Sequence, residues 1–334
     1  MNKKLKDIEE VNVSHEIEIN KMNKIQLLEK CKELNITKCS SKTKSQLIEL
    51  ISNNGGSFVP NKTKPIEKEK EKETGIKPLI KWSGGKSDEI KHFIKYIPLE
   101  YDTYIEPFIG GGSVYFHLFP QKAVISDVHK ELIDLYQCIS EGKSNEIYEF
   151  MNTHPNEEET YYQVRDHMII HTPLDSANRF YYERKTCFRG MLRYNKSGKF
   201  NIPFGKYKTI NYSELRNPKY EELLKKTEIL NKSFEYIFEN YNNENNFMFL
   251  DPPYDSEFTD YGYCQFGKKE QLILANLFKE TKIKCLMIIG KTDYISELYK
   301  DYIVDEYEKK YKFKLYDGRI GNEINTKHLI IKNY

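Results

Sequence analysis

The chain has 334 residues, enough for one large domain or for a large and a small one, and enough to bury a sizeable core. Its 52 basic and 50 acidic side chains nearly cancel, which leaves a formal net charge of +2. This balance excludes a uniformly polycationic nucleic-acid binder, so contact with DNA or RNA has to come from local basic patches.

Cysteine usage and hydropathy indicate a compartment. The six cysteines are scattered without a C-x-x-C pair, which argues against both a zinc ribbon and a secreted disulfide framework. The amino terminus lacks the apolar stretch of a signal peptide, and the longest apolar run, at 285–289, is far too short to span a bilayer. We therefore expect an intracellular protein, neither secreted nor inserted in a membrane.

Residues 20–53 are predicted to form a small helical domain. Leucine and isoleucine recur with helical spacing in two short stretches that a Ser/Thr/Lys turn joins. The unit resembles a SAP domain, a small DNA-binding unit, with Ser41, Lys42, Thr43 and Lys44 placed to meet phosphates near the start of the second helix. A helical hairpin used for packing or protein contacts fits the same pattern. Residues 54–77, rich in Gly, Pro, Asn, Lys and Glu, are predicted to be a flexible linker.

Residues 78–334 are predicted to form an α/β domain. Helical stretches alternate with apolar, strand-like runs at 104–105, 123–125, 247–250 and 285–289. This alternation predicts a largely parallel sheet, and the alternating, aromatic-rich end of the chain predicts a hairpin that closes it. The Tyr-, Arg- and Lys-rich stretch from about 143 to 224 interrupts the rhythm, so we interpret it as an insertion.

Two segments of this domain carry chemistry. TYIEPFIGGGSVYFHL indicates a strand, a glycine turn at Gly110 and a helix, while Asp127 ends the next strand with a carboxylate that can accept ribose hydroxyls. Neither a Walker loop nor G-x-G-x-x-G is present, so a phosphate-free adenosine cofactor fits best.

The second segment, NNFMFLDPPYDS, follows a short apolar strand. There, Asp251 and the carbonyl of Pro252 can accept both N–H bonds of an exocyclic amine and free its lone pair for attack on a methyl group. Pro253 stiffens the turn, and Tyr254 can stack on a flipped base. Read alone, the motif is also compatible with a simple strand-ending turn.

The order of motifs resembles the Dam-type (D12 class) adenine-N6 DNA methyltransferases. The segments are KWSGGK, EPFIGGGSVYF, SDVHKELI, CFRGMLRYNKSGKFNIPFGKY, FLDPPY and IIKNY. A series of matches is far more specific than any single one. The resemblance implies a Rossmann-like, S-adenosylmethionine-dependent methyltransferase fold with an inserted target-recognition domain.

The resemblance also implies individual roles. The cofactor-binding residues would be Trp82, Lys86, Glu106, Phe108, Gly110, Asp127 and Asp251, and the catalytic ones Asp251, Pro252, Pro253 and Tyr254. Lys86 would lie near the methionine moiety of S-adenosylmethionine and Asp127 at its ribose. The block RYNKSGKFNIPFGKYK resembles a target-recognition hairpin, whose predicted DNA-binding residues are Arg189, Arg193, Tyr194, Asn195, Lys196, Lys199, Lys206 and Lys208. A solvated polar hairpin is the alternative.

Two segments depart from the family pattern. Ser233 stands where the family carries an aspartate before phenylalanine, and Gly290-Lys291-Thr292 stands where it carries Ser-Asn. The hairpin tip does not point to a particular recognition sequence. No metal site is expected, because the pair His167 and His171 lacks a glutamate after the first histidine and a third ligand.

The sequence therefore predicts a site-specific methyltransferase that modifies adenine N6 in double-stranded DNA. Methylation of cytosine N4 or of RNA, and a catalytically silent DNA-binding homologue, remain alternatives. We expect a monomer with access to DNA, in a bacterial or viral cytoplasm, a host nucleus or a virus factory. A restriction endonuclease of the same system is a candidate partner.

Overall fold

The computed structural model describes residues 75–195, 197–255, 266–311, 314–316, 319–320 and 324–334, together with residues 27, 30, 31, 36, 43, 44, 46–48 and 51. The chain divides into two compact units, Met1–Lys72 and Glu73–Tyr334. Ser41, Lys42, Lys196 and residues 54–74 of the predicted linker lie outside the described residues. Among the described residues, no helix is long and apolar enough to cross a membrane.

The described part of the first unit has a small apolar core. Its buried side chains are Leu27, Cys31, Leu47 and Ile51. Thr43 and Gln46 cap the start of the second helical segment reciprocally, because the amide of Thr43 donates to Gln46 Oε1 at 3.0 Å and the amide of Gln46 donates to Thr43 Oγ1 at 3.4 Å. Leu27, Leu47 and Ile51 are among the leucines and isoleucines whose helical spacing predicts the two helical stretches. The DNA-binding role of this unit stays a prediction.

The second unit is built on a seven-stranded sheet in the order β3-β2-β1-β4-β5-β9-β6. The strands are β1 Tyr104–Glu106, β2 Ala123–Ser126, β3 Thr227–Leu230, β4 Phe247–Leu250, β5 Lys284–Gly290, β6 Ile303–Tyr311 and β9 Ile324–Lys332, and a separate pair is β7 Lys314–Tyr316 with β8 Arg319–Ile320. The first five strands are parallel, while β9 is antiparallel to both β5 and β6. The predicted parallel sheet and closing hairpin are confirmed.

Helices cover both faces of the sheet. They are α1 Ile90–Phe93, α2 Ser113–Leu118, α3 Lys130–Ser140, α4 Ser144–Thr153, α5 Glu158–Tyr162, α6 Pro173–Thr186, α7 Pro218–Lys225, α8 Phe234–Asn240, α9 Lys268–Glu280 and α10 Asp293–Leu298. Short 3₁₀ turns lie at Ile94–Tyr96, Phe188–Gly190 and Ser213–Arg216, and a π-helical turn lies at Gln163–His167.

The side-chain alternation of the strands divides the core in two. Phe247 and Phe249 of β4 enter one buried cluster, whereas Met248 and Leu250 enter the other. Successive side chains of a strand point to opposite faces, so an uninterrupted apolar run marks a strand covered on both sides. This explains why β4 and β5 were recognisable from sequence.

The predicted insertion lies between β2 and β3. Of its helices, α6 starts with a capping box in which Thr172 Oγ1 accepts from the amide of Asp175 at 3.1 Å. The block predicted as a recognition hairpin is joined by two isolated antiparallel bridges, Cys187 with Phe204 and Tyr194 with Phe200. It is therefore a hairpin-like loop without a continuous ladder in its described residues.

Candidate active site

Three acidic residues meet at one edge of the sheet. Glu106 ends β1, while Asp127 follows β2 and Asp251 follows β4. The strands β2, β1 and β4 are adjacent and parallel, so their carboxyl ends lie side by side. Ligands of open α/β sheets bind at this edge, and the fold thus brings together the residues predicted for the cofactor and for the target amine.

The glycine turn after β1 is tight and presses against Trp82. Gly110 and Gly112 have φ values of 45° and 68°, which glycine adopts without strain. A Cβ on Gly110 would lie 2.6 Å from Trp82 Nε1. The hydroxyl of Tyr136, on α3, donates to the Gly110 carbonyl at 2.9 Å and so holds the turn against this helix.

Asp127 braces this turn against the start of α3. Its carboxylate accepts from the amide of Gly110 at 3.0 Å and from the amide of His129 at 2.9 Å. Burial raises the pKa of Asp127 to about 6, although the backbone hydrogen bonds oppose that shift. Each oxygen keeps a second lone pair, so the predicted contact with a ribose is compatible with the bracing role.

Lys86 joins the KWSGGK and DPPY segments. Only 2% of its side chain is exposed, and its ammonium donates to Asp251 Oδ2 at 2.7 Å and to the Gly84 carbonyl at 2.7 Å. Burial raises the pKa of Asp251, while the charge and hydrogen bond of Lys86 pull it down. The pair therefore favours the ionised carboxylate in a site that would otherwise disfavour it.

The DPPY loop is held at several points. Pro252 is buried, and the carbonyl of Pro253 accepts from Gln271 Nε2 at 2.8 Å. The Tyr254 hydroxyl lies 3.5 Å from Asp251 Oδ1, and the Lys86 ammonium lies 5.2 Å from the centroid of its ring. The loop thus presents a carboxylate, a proline carbonyl and an aromatic face together.

Glu106 and Phe108 are the other predicted pocket residues at this edge. Glu106 is buried and accepts from the Tyr104 hydroxyl at 2.5 Å, and burial raises its pKa well above the usual range. Phe108 stacks on Phe234 with centroids 5.4 Å apart and meets Phe266 edge-on at 5.6 Å. The phenylalanine after Ser233 is therefore in place although the family's aspartate is not.

Most predicted DNA-binding cations are exposed on the hairpin-like loop. They are Arg189, Arg193, Lys199, Lys206 and Lys208, and Lys196 lies outside the described residues. Asn195 is also exposed, but its Oδ1 accepts from the amides of Ser197 and Lys199 at 3.0 Å each. The side-chain oxygen of Asn195 therefore closes the turn, and the Nδ2 group is the part of the side chain that is available to a base in this conformation.

Tyr194 differs from the other predicted DNA-binding residues. Its hydroxyl lies 2.6 Å from His129 Nε2 and donates to Glu131 Oε2 at 2.9 Å. His129 Nδ1 accepts from the amide of Leu132 at 3.2 Å, so Nε2 carries the proton and donates to Tyr194. Tyr194 thus connects the loop to the helix that begins beside Asp127.

Sequence reasoning missed the buried polar residues that support this site. They are His129, Glu89 and His328; the half-buried Glu131 supports them by accepting from Tyr194. The available signal for His328 was a lone histidine directly before the apolar run LII of the final strand, INTKHLIIK. Such a histidine is ordinarily assigned to the core, and its partner Glu89 lies 239 positions away.

A mainly parallel sheet with a glycine turn after β1 and DPPY after β4 defines the class: a Rossmann-like methyltransferase. Residues 82–315 match the family described as D12 class N6 adenine-specific DNA methyltransferase, and the chain belongs to this family. The predicted fold and the predicted adenine-specific DNA methyltransferase activity are confirmed, and the substrate is DNA.

Named relatives agree with this assignment. The chain is 60% identical over 261 residues to the Type II methyltransferase M.CviBI of Paramecium bursaria Chlorella virus NC1A. The aligned residues cover 78% of this chain and 100% of that protein. It is 32% identical to the Type II methyltransferase M1.LlaDCHI of Lactococcus lactis subsp. cremoris, over 70% of this chain and 88% of that protein. It is 29% identical to a DNA adenine methylase of Haemophilus influenzae, over 67% and 82% respectively.

Proposed function

We propose that this methyltransferase uses S-adenosylmethionine to methylate N6 of an adenine flipped out of double-stranded DNA. The observation that carries the proposal is the ion pair of the buried Lys86 with the half-buried Asp251, which joins two motif segments beside the glycine turn. When bound, the cofactor supplies an electrophilic methyl group on a sulfonium that is already a good leaving group.

The chemistry of the edge fits such a cofactor. Lys86 is neutralised by Asp251, and the remaining carboxyl groups, Glu106 and Asp127, suit a cation bearing hydroxyl groups better than a phosphate. The stacked rings of Phe108 and Phe234 offer an apolar surface for an adenine ring. Our candidates for holding the cofactor are Glu106, Asp127, Phe108, Phe234 and Trp82.

Asp251 and Pro252 would orient the target amine. Lys86 donates to Asp251 Oδ2, so Oδ1, which lies 3.5 Å from the Tyr254 hydroxyl, would accept one N–H and the Pro252 carbonyl the other. Accepting both protons weakens conjugation of the nitrogen lone pair with the purine ring and directs that lone pair to the methyl carbon. Tyr254 would stack on the flipped base.

The exposed cations of the hairpin-like loop would hold the duplex. Arg189, Arg193, Lys199, Lys206 and Lys208 supply charges for backbone phosphates without requiring a strongly basic chain. We propose that the protein acts as a monomer in a compartment that contains DNA. Because two relatives are named Type II methyltransferases, we also propose that it protects DNA against a restriction endonuclease with the same recognition sequence.

The test is transfer of labelled methyl groups from S-adenosylmethionine to unmethylated DNA, followed by nucleoside chromatography. We expect label in N6-methyldeoxyadenosine and a rate at least about 100-fold lower for Asp251→Asn, which keeps the shape of the side chain. Asp301→Asn, at an exposed aspartate, is the matched control and should retain the wild-type rate. Full activity of Asp251→Asn would contradict the proposed role of Asp251.

A further inference from the structure

A charged cluster next to the DPPY loop is formed by Glu89, His328, Tyr307 and Lys309. Glu89 and His328 are 3% and 0% exposed, and His328 Nδ1 donates to Glu89 Oε2 at 2.8 Å. Glu89 also accepts from the Tyr307 hydroxyl and from Lys309 Nζ, each at 2.7 Å. Burial raises the pKa of Glu89, but these hydrogen bonds and the charge of Lys86 outweigh it and lower the pKa to about 2.

The cluster touches the aromatic ring of Tyr254. The ring of His328 meets it edge to face, with centroids 5.2 Å apart and planes at 85°. Gly290, the partner of His328 across β5 and β9, leaves room for the tyrosine, because a Cβ there would lie 3.2 Å from Tyr254 Cδ2. With the Lys86 ammonium 5.2 Å from the ring centroid, three neighbours limit the tilt of this ring.

We propose that His328, held by Glu89, is a positioning residue that fixes the Tyr254 ring at the angle at which it stacks on the target adenine. The inference rests on the role of Tyr254 proposed above. An imidazole with an ionised carboxylate on Nδ1 cannot turn about its Cβ–Cγ bond without breaking a charge-assisted hydrogen bond. Its edge therefore offers Tyr254 a fixed surface, which an apolar side chain of several rotamers would not provide.

The free-energy cost of burying this cluster supports a role in function rather than in stability. Taking a carboxylate and its partners out of water carries a desolvation penalty, and well-packed apolar residues often replace such groups without loss of stability. A buried ionic cluster is therefore weak evidence for stability. Here one of its members contacts the tyrosine of the reaction motif.

The first experiment compares His328→Asn with the wild-type protein. Asparagine keeps an N–H donor near Glu89 but removes the ring edge that faces Tyr254. We expect kcat to fall about tenfold with the KM for S-adenosylmethionine changed less than about twofold, because the loss concerns the orientation of the target base. His154→Asn, at a half-buried histidine of the insertion, is the matched control and should match wild type.

The second readout is spectroscopic. DNA with 2-aminopurine in place of the target adenine fluoresces when the base is flipped and is quenched when that base stacks on an aromatic ring. The His328→Asn complex should be brighter than the wild-type complex, as should that of Tyr254→Ala. A purely structural role for His328 would not produce this brightening in protein that remains folded.

A double-mutant cycle separates the proposed role of His328 from the proposed role of Tyr254. If His328 acts through Tyr254, the double variant should be no slower than Tyr254→Ala alone. Additive losses, or wild-type kinetics and fluorescence for His328→Asn, would overturn the inference. Wild-type rates for Tyr254→Ala would instead overturn the proposed role of Tyr254.

Gly290→Ala provides a route that spares the buried charges, in case His328→Asn does not fold. The added methyl group would lie 3.2 Å from Tyr254 Cδ2, so the ring would have to give by a few tenths of an ångström. We expect a lower kcat and a brighter 2-aminopurine complex for this variant. Unchanged values in folded protein would overturn the inference.

Discussion

At the scale of single residues, the buried Glu89 and the half-buried Asp251 show how hydrogen-bond donors decide the sign of a pKa shift. Glu89 receives three side-chain donors, and its pKa falls to about 2 despite burial. Asp251 has one ion pair, with Lys86, and burial still raises its pKa although Lys86 and the charge of His328 lower it. The pKa of Asp251 should therefore respond strongly to the loss of Lys86, the largest influence that lowers it.

This imbalance leads to a prediction for Lys86→Met. Without the ammonium, the pKa of Asp251 should rise further, so its neutral form persists to higher pH and the acid limb of the pH–rate profile moves upward. Near neutral pH the rate should fall about 100-fold, which corresponds to about 2.7 kcal/mol of activation free energy, because less of Asp251 is ionised and its carboxylate is no longer held by Lys86. A pH–rate profile of methyl transfer is the measurement, and part of the activity should return as the pH is raised.

The control is Lys91→Met, which removes an exposed lysine close in sequence. It should leave both the rate and the acid limb unchanged. A Lys86→Met profile that is merely scaled down, with its acid limb at the wild-type position, would show that Lys86 does not set the protonation of Asp251.

At the scale of elements, the glycine turn depends on contacts as well as on backbone geometry. Gly110→Ala combines a strained positive φ with a methyl group 2.6 Å from Trp82 Nε1. We expect at least about tenfold weaker binding of S-adenosylmethionine, because the turn or the indole must shift. Trp82 is the single tryptophan of the chain, so its intrinsic fluorescence follows the titration directly.

Gly198→Ala is the matched variant for this measurement. Gly198 also has a positive φ, at 70°, but a Cβ there would meet nothing within 4 Å. Cofactor affinity should stay at the wild-type value. Equal weakening by both substitutions would mean that general backbone strain, rather than contact with Trp82, disturbs the cofactor site.

The contact of the hairpin-like loop with α3 gives a second prediction at this scale. Tyr194→Phe removes hydrogen bonds to His129 and Glu131, which should cost about 1–3 kcal/mol in a partly buried setting. If the loop is oriented by this contact, DNA affinity measured by fluorescence anisotropy should weaken about tenfold. Tyr212→Phe, which loses one exposed hydrogen bond to Asn152, should bind DNA normally.

The elements also show what sequence reasoning can reach. Strands β4 and β5 are uninterrupted apolar runs and were predicted, whereas β3, with the half-exposed sequence TEIL, was not. The loops after β1, β2 and β4 could be placed together, because parallel topology puts carboxyl ends at one edge. The contact of Tyr194 with His129 depends on how a long insertion folds back, and residue spacing carries no signal for that.

At the scale of the whole molecule, the catalytic unit and the amino-terminal unit have separate cores. The relative M.CviBI is matched over its full length by 78% of this chain, so this chain carries residues which that protein lacks. We propose that the amino-terminal unit adds weak, sequence-tolerant DNA affinity. A tethered second contact raises the local DNA concentration without changing the chemistry.

Removal of residues 1–74 tests this division of labour. The shortened protein should keep kcat within about twofold, because the described site residues all lie in 75–334, whereas its KM for long DNA should rise about three- to tenfold. The dependence of KM on salt should also become shallower, since fewer phosphate contacts release fewer counterions. Steady-state methylation of plasmid DNA over a range of salt concentrations measures both quantities. An unchanged KM and salt slope would instead favour the helical unit as a surface for protein contacts.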